Sequence, residues 1–227
     1  MRIINLIKGD IRFQFKYGFY FVYAVFTAVY LSLIFVMPQS WREKAAAIMI
    51  FSDPAAMGLF FMGAIVLLEK SERILNSLAV SPVKTGEYIL SKVISLLFIS
   101  VLVGIAITLP LGTKKLYASV IGTAFGSAFF TMCGLIVAAK ISSLNQFLTT
   151  AVPIEIISFL PPIMYLFGYD SMFMLIHPGC IIISLISGNS KHLLLFSAIL
   201  CIWLAAMYKV AHKYIQDMFQ NTGGVSL

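Results

Sequence analysis

Long apolar stretches separated by short charged interruptions run through this chain, and most match the roughly 20 residues a helix needs to cross about 30 Å of hydrocarbon. Residues 19–37, 45–68, 93–111, 116–139 and 193–210 are five such runs, and 144–167 is a sixth, broken by Pro153 and Pro161-Pro162. Residues 172–187 are apolar but short and contain His177-Pro178-Gly179, which predicts a re-entrant pair of short helices rather than another crossing. Within the second run, Ser52-Asp53-Pro54 reads as an N-cap followed by proline at the first helical position, so a helix is expected to start or restart at Asp53. Ser143 and Gln146 have capping-box spacing ahead of the broken run.

Ahead of the first span, Ile3, Ile7, Ile11 and Phe15 recur every four residues beside a parallel basic row of Lys8, Arg12 and Lys16. The spacing predicts an amphipathic helix over 1–17 that lies in the membrane interface, with its basic row toward anionic head groups. The last span is expected to give way to a short polar tail over 211–227.

Composition removes the soluble alternatives. The 227 residues are 60% hydrophobic and 11% charged, with a mean hydropathy of +0.97, against about 25% charged residues in soluble domains. The expectation is one all-α integral membrane domain over 1–227 with six spans. A charge of +7 raises the question of nucleic acid, but the basic residues flank apolar runs instead of forming a patch. They act as topology signals. With six spans, Arg2, Lys8, Arg12, Lys16, Lys70, Arg73, Lys84, Lys92, Lys140, Lys209 and Lys213 share one side, while Arg42, Lys44, Lys114, Lys115 and Lys191 share the other. The 11 to 5 split of the 16 Lys and Arg residues puts both termini in the cytoplasm. No signal-peptide cleavage site follows the first run, so that run is expected to stay in the mature chain.

Candidate chemistry is sparse. Cys133, Cys180 and Cys201 are isolated in apolar surroundings, and His177, His192 and His212 lack metal-ligand spacing. There is no phosphate-binding, GxSxG, HExxH or dinucleotide motif, so the chain alone is not expected to be a catalyst. Glu155 is the acidic residue that stands deep inside an apolar run, two positions after Pro153. A charge there costs on the order of 3 kcal/mol, which points to a cavity, a partner or the transport route. In the fourth span, Ala118, Gly122 and Gly126 form a small-residue series, and Ser119, Thr123, Ser127 and Thr131 form a hydroxyl row at four-residue spacing. Two readings stand for that helix: a protomer interface or polar route, and ordinary packing within one protomer.

Residues 69–92 hold seven charged residues between two apolar runs. Glu69, Lys70, Glu72 and Arg73 mark the exit from the second span, and Ile74, Leu75 and Leu78 give an apolar face at helical spacing. Ser81-Pro82 reads as a corner that starts the next helix. Helix, corner, helix is the expected order, and the short first helix fits a docking surface for a soluble partner.

At this segment the chain resembles permease subunits of type-2 ABC exporters, whose second and third spans are joined by a cytoplasmic coupling helix with the pattern E-x-x-E-G-T-L-x-x-L-x-x-S/T-P followed by K. Glu69, Glu72, Leu75, Leu78, Ser81, Pro82, Glu87 and Lys92 stand where that pattern expects them, with Arg73 and Ile74 in place of Gly-Thr. The run FSDPAAMGLFFMGAIVLLEKSER makes the chain look most like permeases assigned to fluoroquinolone and multidrug export in Gram-positive bacteria. The resemblance implies an interfacial N-terminal helix, a coupling helix within 69–92 and a re-entrant segment within 170–190. It also implies a subunit of the bacterial cytoplasmic membrane that exports a hydrophobic or amphipathic compound, whether drug-like, lipid or peptide. The partners it implies are a separate ABC ATPase, which holds ATP and Mg, a second identical or related permease, and membrane lipids. Glu69, Glu72, Arg73, Leu75, Leu78, Ser81 and Pro82 would carry the coupling. A secondary transporter using Glu155 and a membrane receptor or sensor are the alternatives from other classes.

Overall fold

The computed structural model describes residues 2–79, 81–112, 116–169, 171, 174, 176–189 and 192–222, with backbone alone at 79, 221 and 222. Lys114, Lys115 and Lys191 of the charge count, and Met172 at the start of the short apolar run, lie outside the described residues.

All regular structure among the described residues is helical. Helix α1 (Arg2–Lys16) turns at Gly18, which takes the left-handed backbone at φ 76, into α2 (Phe19–Val36). Helix α3 (Gln39–Ile50), a π turn (Phe51–Ala55) and α4 (Gly58–Ser71) follow one another along a single apolar stretch. Short α5 (Ile74–Ala79) leads to α6 (Thr85–Thr108), which a 3-10 turn (Leu109–Leu111) prolongs. Then come α7 (Leu116–Lys140), α8 (Leu144–Leu166), α9 (Pro178–Ile186) and α10 (Leu193–Thr222). Six stretches are long and apolar enough to cross a membrane: α2, α3 to α4, α6, α7, α8 and α10. The molecule is a six-span, multi-pass membrane protein.

Helix α7 occupies the centre. Its apolar stretch is 72% buried against 17% for α2 and α8, so α7 is wrapped by protein while α2 and α8 turn large apolar side chains outward. Close approach makes this possible: a Cβ on Gly122 would stand 2.8 Å from the Leu185 Cβ, and one on Gly126 would stand 2.7 Å from the Ala55 Cβ. Without a hydrophobic drive between helices in lipid, such backbone proximity supplies the dispersion contacts that hold helices together. Helix α9, nine residues long and buried along its whole length, fills the space beside α7 and α8.

Four elements depart from the sequence expectation. The second span does not restart with an Asp53 cap. Its backbone instead widens into a π turn, in which Ala56 N donates to Phe51 O, because Pro54 has no N–H to give an α-type bond. The third span starts at Thr85, not at Pro82: Glu87 accepts from the Lys84 backbone N–H at 2.9 Å, which caps the helix there. The polar tail is helix to Thr222, since Ala211, Ile215 and Met218 keep a buried stripe that extends α10 along the protein. The broken run over 144–167 is one continuous helix that carries all three prolines, capped by Ser143, whose hydroxyl accepts from Gln146 N.

Candidate functional site

The charged segment 69–92 forms a corner at the end of the bundle where α1 lies. Helix α4 ends at Ser71, and Arg73 takes φ 58, the left-handed conformation common one residue beyond a helix C-cap. That conformation sets the chain off into α5. Leu75 is buried and Leu78 half-buried against the core, packed where α5 meets α10, so the leucine face holds α5 onto its own protomer. Among the described side chains of this turn and helix, Glu72, Arg73, Asn76 and Ser77 are exposed. Ser81 donates to Leu78 O at 2.7 Å and accepts from Val83 N, which closes the corner around Pro82.

Helix α1 and the residue that follows it strap this corner at four points. Arg2 donates to Pro82 O at 3.0 Å, Asp10 accepts from Lys92 Nζ at 2.6 Å, Gln14 donates to Ser95 Oγ at 2.8 Å, and Tyr17 donates to Glu72. Lys92 also pairs with Glu69, whose second oxygen accepts from the Tyr88 hydroxyl at 2.7 Å. The result is a buried charge cluster, Asp10, Glu69 and Lys92, that joins α1, α4 and α6. A low-dielectric setting strengthens each charge-assisted bond and penalises any unpaired member, so the three helix ends are held as a unit. Lys70 adds a brace by donating to Ala138, Ala139 and Ile141 carbonyls at the end of α7. The face α1 turns inward is therefore partly polar, with Lys8, Arg12 and Lys16 left exposed on the other side.

The hydroxyl row and small residues of α7 all lie inside the protomer. Ser119 bonds Thr108 at 3.2 Å and Ser127 bonds Ser100 at 3.0 Å, both across to α6; Thr123 donates back to Ser119 O. Thr131 has no hydrogen-bond partner among the described residues. Ala118, Gly122 and Gly126 are buried or nearly so against neighbouring helices of the same chain.

Glu155 is half-buried on α8, roughly 16 Å along the helix from Leu144 at ~1.5 Å per residue, and Pro153 is exposed. It lies within electrostatic reach of Asp53, a buried carboxylate in the π turn. Glu155 and Phe159 are one turn apart, and the Phe159 ring packs tilted against Phe51 of the π turn with centroids 4.9 Å apart. Further along the bundle, a cavity of about 420 Å³ opens between α3, the end of α6 and α9, with Glu43, Ile50, Thr108 and Ser187 in its wall.

The profile of the fluoroquinolones export permease protein family matches residues 1–218. The chain belongs to this family. Two relatives are the fluoroquinolones export permease proteins of Mycobacterium tuberculosis strains CDC 1551 / Oshkosh and ATCC 25618 / H37Rv. Each is 28% identical over 171 residues, covering 74% of this chain and 71% of the relative.

In this permease the match takes in both α1 and the extended α10, the two elements that brace the corner. Asp10, Gln14 and Tyr88 were not singled out by sequence reasoning. A signal for the first two was present: polar residues four apart on a helix whose other faces are basic and apolar. Among the described residues no group of His, Cys, Asp and Glu is arranged to hold a metal ion. Cys133 and Cys180 are buried and Cys201 is exposed, all as free thiols. Burial lowers the His177 imidazole below its ordinary pKa, and its Nδ1 has no hydrogen-bond partner among the described residues.

Proposed function

We propose that this chain is the membrane-spanning subunit of an ATP-driven exporter of the bacterial cytoplasmic membrane, with both termini in the cytoplasm. A separate ABC ATPase, holding ATP and Mg, docks on the corner, and a second permease chain completes the transporter. The exported compound is an aromatic amphiphile of the fluoroquinolone type named in the family's description. The observation that carries this reading is the braced corner. A helix of six residues, pinned inward by Leu75 and tied through Glu69, Lys92 and Asp10 to two spans and α1, offers a polar outer face while transmitting displacement to the spans. Such a rigid attachment suits a coupling helix better than a solvated loop, because a push on α5 moves α4, α6 and α10 together. Helix α9 then acts as a re-entrant element, entering and leaving on the outer side.

Purification of the tagged permease from native membranes tests the proposal. A P-loop ATPase should be recovered with it, and Ser77→Arg, which changes only the exposed face of α5, should reduce that recovery several-fold while leaving the permease folded. Absence of any ATPase, or normal recovery with Ser77→Arg, would count against docking there. Transport that survives ATP depletion and collapses with the proton gradient would favour a secondary transporter instead.

A further inference from the structure

We propose that Asp53 and Glu155, with the phenylalanines Phe51, Phe130 and Phe159, form an intramembrane subsite for a protonated amine carried on an aromatic ring system. This deepens the exporter reading above and rests on it, by naming the feature of the exported compound that is recognised.

Two carboxylates stand within the membrane-spanning part of one protomer, on facing elements. Among the described residues the ion pairs are those of Lys92, so neither Asp53 nor Glu155 has a cationic partner. Asp53 is 7% exposed, and its Oδ2 accepts no hydrogen bond among the described residues. From α2, the Tyr23 side chain, 1% exposed, lies within electrostatic reach of Asp53, but its hydroxyl faces Ser100 of α6. The Asp53 oxygen that accepts nothing among the described residues is left for a third group. Charged side chains are retained inside a membrane where something compensates them, and here the described residues supply no cation.

The aromatic wall specifies what accompanies the charge. Phe51, Phe130 and Phe159 contact one another with centroids 4.9 to 6.2 Å apart. Phe51 and Phe130 are fully buried, whereas Phe159 and Glu155 are partly exposed on the same face of α8. Glu155 and Phe159 are therefore reachable from outside the bundle, and Asp53 is buried. A ring system laid against Phe159 places an attached ammonium between the carboxylates, where charge-assisted hydrogen bonds and cation–π attraction act together. The π turn supports this arrangement, because its widened backbone aims Asp53 inward from a position that must also pass Pro54.

The test uses the permease, alone and with its ATPase, in nanodiscs and proteoliposomes. The probes are norfloxacin, whose distal amine is protonated at neutral pH, and its N-acetylated derivative, whose distal amine is not. Binding is read by probe fluorescence. Wild-type protein should bind norfloxacin at least about tenfold tighter than the acetylated probe, a ratio set by one charge-assisted contact. Glu155→Gln and Asp53→Asn should each bring the ratio toward one with little change for the acetylated probe, while Glu43→Gln, a carboxylate of the separate cavity, should leave the ratio intact. Equal affinity of the two probes in the wild type, binding of neither, or a ratio preserved in both variants would overturn the proposal. A carboxylate pair that serves protons alone would show as equal loss of both probes on acidification. ATP-driven efflux of both probes at equal affinity would refute the subsite and keep the exporter; amine-selective binding without ATP-driven efflux would do the reverse.

Discussion

Replacing Lys92 by methionine tests whether the charge cluster holds the corner together. The Lys92 side chain is 2% exposed and those of Glu69 and Asp10 are 5% and 12% exposed, so one positive and two negative charges sit almost out of water. At an effective dielectric of ~20, unit charges at the 2.6 Å separation of Lys92 and Asp10 attract by about 6 kcal/mol, part of which desolvation and the repulsion between the carboxylates offset. Lys92→Met keeps the length of the stem but leaves two buried carboxylates facing each other, and loss of one partner from such a cluster costs about 3–5 kcal/mol. Asp10→Asn removes the excess negative charge, keeps an oxygen for Lys92 to reach and leaves Lys92 matched with Glu69, for an expected cost of about 1 kcal/mol or less. Adding Glu69→Gln to Lys92→Met should recover part of the loss, because Asp10, the least buried of the three, is then the only unpaired charge. Thermal unfolding of the purified permease in nanodiscs, followed by circular dichroism, reads the order directly. The reasoning is refuted if Lys92→Met is no less stable than Asp10→Asn, since the cluster would then be solvated and could not act as a clamp.

Backbone geometry gives two further predictions. Arg73 holds a left-handed conformation that costs a residue with a Cβ roughly 1 kcal/mol, so Arg73→Gly should raise the unfolding midpoint unless the guanidinium is needed for docking, which ATPase recovery measures separately. A Cβ at Gly134 would lie 2.5 Å from Leu59 O and 2.9 Å from Met62 Cβ, whereas at Gly9, within α1, it meets nothing within 4 Å. Gly134→Ala should therefore destabilise by about 1–3 kcal/mol through forced separation of α4 and α7, and Gly9→Ala should stabilise by about 0.5–1 kcal/mol by favouring helix. Equal midpoints for these two variants would contradict the packing of α7 described above.

The spans were legible because twenty apolar residues have few other destinations, and the Ser143 cap was legible because its spacing is local. What escaped depends on partners distant in sequence. Asp10 lies in a segment whose regular isoleucines suggest only a lipid face, and nothing nearby announces Lys92, 82 positions away. The stripe of Ala211, Ile215 and Met218 was hidden by charged residues that share its turns, although its spacing is helical. Leu75 and Leu78 read as an exposed apolar face when α5 is considered alone, and become internal once the extended α10 covers them. Glu155 drew notice for its depth in an apolar run, while its companion Asp53 looked like a helix cap because Pro54 follows it. The π turn that separates these readings depends on the surrounding bundle.

That turn also sets the phase of the second span. Buried positions step by four from Ala46 to Ile50, by five to Ala55, then by four or three through Leu59, Met62, Val66 and Glu69. The wider turn absorbs one extra residue, which in a regular α-helix would rotate everything beyond it by about 100°. Removing one residue from 51–55 would let the helix close into regular α turns with a four-residue step in place of the five, so Glu69 would keep its side of the rod relative to Ala46 and its line with Lys92. Span 2 should consequently accept loss of one residue inside the turn yet resist a deletion within α4, where each residue lost rotates the helix by about 100° and would be felt as a broken ion pair at Glu69.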